Sequence, residues 1–312
     1  MIVKRIGLGF VTLAVVSAVV FFAVYLLPGD LAEEILGQAA TPETVANIRR
    51  ELGLDRPPIE RYVDWITGLL SGDFGRSLAN GRPIAELAGM RLVNTLYLAG
   101  FAAAVSIPLS LTLGIVAALY REKLIDRSIN VAALTAISLP EFFIAYILIF
   151  ALTVKAGWLP SLATVSADTP LGERMFRSIL PVLTLTLAVA AHVMRLTRAA
   201  IVNLLASPYI EMARLKGLKP WRVILRHALP NALAPIINVV VLNLAYLIVG
   251  VVVVEVVFAY PGLGQLMVDS VGKRDVPVVQ ATCLFFASTY IMLNLVADVA
   301  TIAADPRLLH RR

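Results

Sequence analysis

Residues 234–258 read APIINVVVLNLAYLIVGVVVVEVVF, a run with one charged side chain, Glu255. Wound as a helix at 1.5 Å per residue, this run is about 37 Å long, enough to cross the roughly 30 Å hydrocarbon core of a bilayer. Helix is the only local structure open to it there, because each backbone amide must find its partner within its own segment. Five more runs of the same character lie to either side, at 7–27, 92–119, 129–153, 179–199 and 280–303. Together they predict an all-α polytopic membrane protein with six transmembrane helices in a single domain over residues 1–312. Composition points the same way: 59% of the 312 residues are hydrophobic and 15% are charged, and the mean hydropathy is +0.84. No soluble domain of this size can hide that much apolar surface. Pro108, Gly114, Pro140 and Gly250 lie inside these runs, where such residues mark kinks and close helix contacts more often than breaks.

The first run follows Lys4 and Arg5 and is succeeded by Pro28-Gly29-Asp30, not by a small-residue cleavage site. It therefore reads as an uncleaved span. The formal charge is +6, from 27 Lys and Arg against 21 Asp and Glu. No stripe of basic residues interleaved with aromatics accompanies it, which excludes a nucleic-acid groove. The basic residues instead gather in short segments: Lys4 and Arg5, the loop 120–128, the stretch 195–227, and Arg307, Arg311 and Arg312. That distribution predicts both termini on the cytoplasmic side. Arg195 and Arg198 are expected to snorkel to that interface. Cys283 is the only cysteine and reads as a small buried hydrophobe. His192, His227 and His310 lack metal-ligand spacing, so no metal site is expected.

Two connecting segments are too ordered to be plain linkers. In the external segment 28–91, Thr41 is placed to cap a helix with Pro42 at its first turn, ending near Gly53. After the turn Asp55-Arg56-Pro57-Pro58, Ile59 to Leu70 forms a second, amphipathic helix carrying Tyr62 and Trp65. This segment is expected to cap the external mouth or to meet a partner there. The cytoplasmic segment 200–233 contains Ser207-Pro208-Tyr209-Ile210-Glu211-Met212-Ala213-Arg214-Leu215-Lys216-Gly217-Leu218. Ser207 can cap a short helix, and Gly217 suits the left-handed residue that ends one. A second helix is expected from Lys219-Pro220-Trp221 to about Leu229, with Pro230 and Pro235 bracketing the start of the fifth span.

Glu211-Met212-Ala213, Gly217 and His227-Ala228-Leu229-Pro230 keep the spacing of the Glu-Ala-Ala loop of binding-protein-dependent ABC importers, which this sequence resembles. Met212 replaces the middle alanine, and His227 replaces an isoleucine. Tyr209, Ile210, Ala213, Arg214, Lys216, Gly217, Leu218, His227 and Asn231 fit the dipeptide/oligopeptide/nickel branch of those permeases. So do Leu52-Gly53-Leu54-Asp55-Arg56-Pro57, Gly72-Asp73-Phe74-Gly75-Arg76-Ser77, Glu255-Val256-Val257-Phe258, Pro261-Gly262-Leu263-Gly264, Arg274-Asp275-Val276-Pro277 and Asp305-Pro306-Arg307. The long first external loop is similar to that of the B-type subunit of the pair.

The resemblance implies the type I permease fold and a coupling surface made of Tyr209, Glu211, Ala213, Arg214, Lys216, Gly217, Leu218, His227, Pro230 and Asn231. Small Ala213 and Gly217 would allow close approach of an ATPase, and Arg214 and Lys216 could pair with its acids. It also implies partners: a second related permease forming a hetero-oligomer, two ATPase subunits, an extracytoplasmic solute-binding protein and the lipid of a bacterial or archaeal inner membrane. The solute class is di- or oligopeptides, with nickel, glutathione or opines as alternatives on the same architecture.

No Gly-x-x-x-x-Gly-Lys-[Ser/Thr] loop occurs in the chain. ATP and Mg are therefore expected on separate subunits, with no cofactor and no catalytic residue here. An intramembrane serine hydrolase would need a Gly-x-Ser-x-Gly element, which is missing, to accompany His192, the only span histidine. A stand-alone secondary transporter would show two related halves, and no internal repeat is present. Glu141, Glu255 and Asp298 are ionisable residues within spans, and charge there is costly unless used. They are the candidate translocation-path residues.

Overall fold

The computed structural model describes residues 2–23, 31–51 and 53–304. Pro28-Gly29-Asp30, the end of the first apolar run, Leu52, His310 and the Asp305-Pro306-Arg307 motif with the final arginines lie outside the described residues. The described chain is helical. In order, its helices are α1 (Ile2–Ala23), α2 (Leu31–Leu36), α3 (Pro42–Glu51), α4 (Pro58–Leu70), α5 (Ile84–Leu119), α6 (Leu124–Ser138), α7 (Glu141–Leu148), α8 (Leu171–Leu205), α9 (Pro208–Leu215), α10 (Pro220–Arg222), α11 (Leu229–Val257), α12 (Leu263–Gly272) and α13 (Val276–Ala304). Among the described residues, five helices are long and apolar enough to cross a membrane, and α6 with α7 makes a sixth if that bent pair is one span.

α5 and α8 form the most extensive helix pair, and α11 packs against α8 and α13. The central core between them includes Leu98, Leu180, Leu185, Leu247, Val251 and Phe258, all buried. Each end of the bundle has its own cluster. At the end carrying α9, Ile201, Ile210, Val223, Ile224 and Ile236 pack together. At the opposite end, Ile84, Leu263, Leu266 and Val278 do so. α1 stands at the side, leaning on α13. Many large apolar side chains, such as Phe10, Val15, Phe150 and Met292, remain exposed on the flanks, as lipid-facing surface requires.

Three features differ from the periodicity-based expectation. The helices overrun the apolar runs: α5 begins at Ile84 rather than 92, and α8 occupies Leu171–Leu205 rather than 179–199. Polar first turns bearing Glu86 and Glu173 account for the extra length. The run 129–153 is not one straight helix. Its two arms meet at 108°, because Pro140 lacks an N–H and forces Leu139 into an extended conformation (φ −99°, ψ 134°). Finally, the helix that starts at Pro220 does not stop near Leu229. It passes through a π-helical turn, Val223–Ala228, into α11. Pro230 lies just past the π-helical turn, and Pro235 lies inside α11.

Residues 41–70 hold α3 and α4. Thr41 and Thr44 cap each other: the Thr44 amide donates to Thr41 Oγ1 at 3.2 Å, and the Thr41 amide donates to Thr44 Oγ1 at 2.8 Å. α4 then lies against the last turns of α1, with Tyr62 and Trp65 edge-on and tilted against Phe21.

Arg198, expected to snorkel, has a carboxylate partner. It grips Asp126 at the start of α6 through two bonds of 2.7 Å. Asp126 also accepts from the Glu122 amide (2.9 Å) and from Asn130 (2.7 Å). A carboxylate so enclosed is stable only with its partner present, so Arg198→Ala is expected to cost about 2 kcal/mol. Thermal melts of the purified complex check this. If the losses of Arg198→Ala and Asp126→Ala add fully in the double variant, the two groups are not coupled.

Candidate functional site

Two sites emerge, one at each end of the bundle. The first is α9 with the turn behind it. Ser207 has the extended backbone of a cap (φ −80°, ψ 146°), and its carbonyl accepts from the Ile210 and Glu211 amides at 3.0 and 3.2 Å. Its hydroxyl turns away, donating to the Leu204 carbonyl. Glu211 lies in the first turn of α9 and Arg214 in the last, as the helix dipole favours. The helix ends at Gly217 (φ +77°). There the Gly217 amide donates to the Arg214 carbonyl at 2.8 Å and the Leu218 amide to the Ala213 carbonyl at 3.4 Å. This is a Schellman closure, which needs a left-handed residue at that point.

α9 has two distinct faces. Ile210 and Ala213 are buried, and with Leu218 they seat the helix on the bases of α5, α8 and α11. Ala213 is therefore small to fit its own bundle, and it does not lie on the outer face. That outer face carries Tyr209, Met212, Arg214, Leu215 and Lys216, all exposed. Leu215 is 76% exposed, unusual for a leucine beside a well-formed apolar cluster. Trp221 extends the surface, with Arg222 over its ring at 5.3 Å. His227 is half-buried in the π-helical turn, and its carbonyl accepts from Asn231 at 2.8 Å. Pro230 is exposed.

The second site closes the opposite end. Glu255 is fully buried. Thr95 Oγ1 donates to one of its oxygens at 2.6 Å, and the amides of Gly264 and Gln265 donate to the other at 2.7 and 3.1 Å. Thr95 in turn accepts from the Leu263 amide at 2.7 Å. The carboxylate thus caps the first turn of α12 and ties it to α5. Gly262 and Gly264 are needed for this approach: a β-carbon on the first would lie 2.0 Å from Glu255 Oε1, and one on the second 2.7 Å from the Val252 α-carbon.

Around this knot, Asn94 donates to the Pro261 carbonyl at 2.8 Å and accepts from Arg174. The Arg174 guanidinium lies over the Tyr97 ring at 4.4 Å. Tyr260 donates to the Asn94 carbonyl at 3.2 Å, and burial pushes its phenol above the ordinary value. A further tie joins two segments far apart in sequence. Buried Asp275 accepts from the Ser77 hydroxyl and from the Leu78 and Ala79 amides at 3.0 and 3.3 Å.

The three ionisable span residues do not converge. Glu255 spends its oxygens on the α12 turn. Asp298 pairs with Arg5 of α1 beside a groove of about 870 Å³ between α1 and α13. Glu141 opens α7 just after the Pro140 break. It meets α11, where its Oε1 lies 3.0 Å from the position a Gly250 β-carbon would take. Thr95, Asn94, Arg174, Ser77 and Asp126 escaped the sequence reading as site residues. The only hint was the pair of motifs Gly72–Ser77 and Arg274–Pro277, whose ends meet at Ser77 and Asp275. Among the described residues no group of three or more His, Cys, Asp or Glu side chains converges as metal ligands would.

Comparison with known proteins gives a consistent picture. Residues 110–310 match the family described as "Binding-protein-dependent transport system inner membrane component". Residues 1–98 match "Binding-prot-dependent transport system membrane comp, N-term". The glutathione transport system permease protein GsiC of Escherichia coli (strain K12) is 39% identical over 311 residues, covering 99% of both chains. Its counterpart from Salmonella typhi is 40% identical over the same extent. Among solved structures, the inward-facing MetNI methionine ABC transporter aligns with a TM-score of 0.58. It covers 70% of this chain and 96% of that one at 18% identity, which speaks to the fold alone.

Proposed function

The chain belongs to the binding-protein-dependent transport system inner membrane components and is a permease subunit of an ABC importer, and from that premise we propose that it carries a short peptide, with glutathione the first solute to test. The permease relatives named for glutathione transport match it over 99% of both lengths, which supports that choice. The protein is a multi-pass membrane protein with the type I permease fold. In our reading both termini and α9 face the cytoplasm, and the α12 end faces outward toward a solute-binding protein. A second, related permease completes the pore, and two ATPase subunits bind and hydrolyse ATP with Mg.

The observation that carries this reading is the two-faced α9. Its inner face is locked into the bundle, while its outer face presents Tyr209, Met212, Leu215, Arg214 and Lys216 with no partner among the described residues to cover the apolar members. A helix held in this way transmits a push as a rigid body. Tyr209, Glu211, Arg214, Lys216, Gly217, Leu218, His227, Pro230 and Asn231 act as contact or turn residues of that coupling surface, and Ala213 acts from beneath. No bond is made or broken by this chain. Glu141, half-buried at the α7–α11 contact, is the span acid best placed to meet solute.

A Leu215→Cys variant on a Cys283→Ala background is expected to cross-link to the ATPase in the assembled complex, while Ile210→Cys, buried beneath, is not. Equal labelling by the ATPase at both positions, or at neither, would remove the coupling assignment. Uptake of labelled glutathione against di- and tripeptides, in vesicles supplied with the cognate binding protein, tests the solute. Competition by none of them would overturn the peptide class.

A further inference from the structure

α4 carries more apolar surface than its neighbours use. At 100° per residue, Ile59, Val63, Ile66 and Leu70 fall within about 60° of one another on its surface. Ile59, Val63 and Leu70 are 70%, 50% and 84% exposed. The adjoining strip, Tyr62 and Trp65, packs on Phe21 at the end of α1. The flank on the other side of the stripe is polar, with Glu60, Asp64 and Thr67. Asp64 and Glu60 are held by Arg56, at 2.7 and 3.5 Å.

The depth of this helix follows from what it touches. The Tyr62 hydroxyl meets Ser17 Oγ at 2.8 Å. Ser17 lies about 18 Å along α1 from Arg5 at 1.5 Å per residue, and Arg5 pairs with Asp298 near the α9 end. Of a hydrocarbon layer about 30 Å thick, some 12 Å then remain above Ser17. A tyrosine reaching down from α4 to that level places the helix at the boundary between headgroups and acyl chains, not out in water. α1, on which α4 packs, also exposes Val11, Val15 and Val19, each more than half exposed.

We propose that α4 is an interfacial helix. It lies in the plane of the leaflet on the α12 side, with Ile59, Val63 and Leu70 sunk among acyl chains, Tyr62 and Trp65 directed along α1 toward Ser17 and Phe21, and the Glu60–Asp64 face in water. An apolar stripe flanked by charged residues on one side and aromatics on the other suits a helix at this depth. The arrangement gives α1, which otherwise packs mainly on α13, a second anchor in the bilayer. The occupant of the stripe is lipid, not a protein partner.

The test uses the complete transporter in nanodiscs on the Cys283→Ala background, spin-labelled singly at Ile59→Cys, Val63→Cys or Leu70→Cys, and at Glu60→Cys or Asp64→Cys. Collision rates with oxygen and with a water-soluble nickel chelate are read for each. Oxygen should dominate at 59, 63 and 70, and the chelate at 60 and 64. Chelate access at 63 and 70 would place the stripe in water. Exclusion of both reagents there, with an immobile label, would mean a protein subunit covers it. Either result overturns the proposal, and neither bears on which solute is carried or on how α9 meets the ATPase.

Discussion

A chain carrying Glu255→Ala is expected to assemble poorly and to unfold at a clearly lower temperature than the wild type. The substitution strands the buried Thr95 hydroxyl and the Gly264 and Gln265 amides, all of which now donate to the carboxylate. Each buried donor left without a partner costs about 1–3 kcal/mol. The variant no longer desolvates a carboxylate, which offsets part of the cost, and a net loss of about 2–4 kcal/mol remains. Against a total stability of about 5–15 kcal/mol, that loss is large. Gly264→Ala should be as damaging by another route, because its methyl would meet the Val252 backbone, which cannot rotate out of the way. Thr95→Val removes one hydroxyl and keeps the shape, so it should fall between these variants and the wild type. Melting of the purified complex followed by tryptophan fluorescence measures all three. A wild-type melting temperature for Glu255→Ala would show that the knot at the α12 end is ornamental.

This network also marks where the sequence stops being legible. The apolar runs could be read because lipid permits only one local structure, so 234–258 announces a helix from composition alone. The α9 turn could be read because a capping position, a proline and a glycine at fixed spacing describe one piece of local geometry. Glu255 could be seen as unusual but not assigned. Its partner Thr95 is 160 residues away, and no local pattern reports a contact between helices. The same reason hid Asp126 beneath Arg198 and Ser77 beneath Asp275. The bend at Pro140 was ambiguous for a different reason. A proline within a span either kinks or breaks it, and which one occurs depends on whether a neighbouring helix fills the gap. Here α11 does, with Gly250 against Glu141. The helix after Pro220 failed as a boundary because a π-helical turn lets the chain run on past signals that normally end a helix.

Gly217→Val is expected to cut ATP-driven uptake by about tenfold or more while leaving the membrane-spanning bundle folded. No neighbour lies within 4 Å of the β-carbon that any substitution would add, so crowding is not the cause. The cause is backbone: at φ +77° a β-branched residue is strained by about 1–3 kcal/mol, and about 1.4 kcal/mol already corresponds to a tenfold change in an equilibrium. Relieving that strain undoes the bonds from Gly217 to Arg214 and from Leu218 to Ala213. Leu218 then leaves the apolar cluster, and α9 loses the closure that fixes its angle to the bundle. Gly217→Asn separates conformation from size, because asparagine accepts the left-handed region far better than valine does. It should retain most uptake. ATPase subunits should still co-purify with the bundle in both variants, with hydrolysis in the valine variant no longer producing transport. If valine and asparagine behave alike, the turn's left-handed geometry is irrelevant to coupling, and α9 would be a passive contact instead of the element that carries the stroke into the membrane.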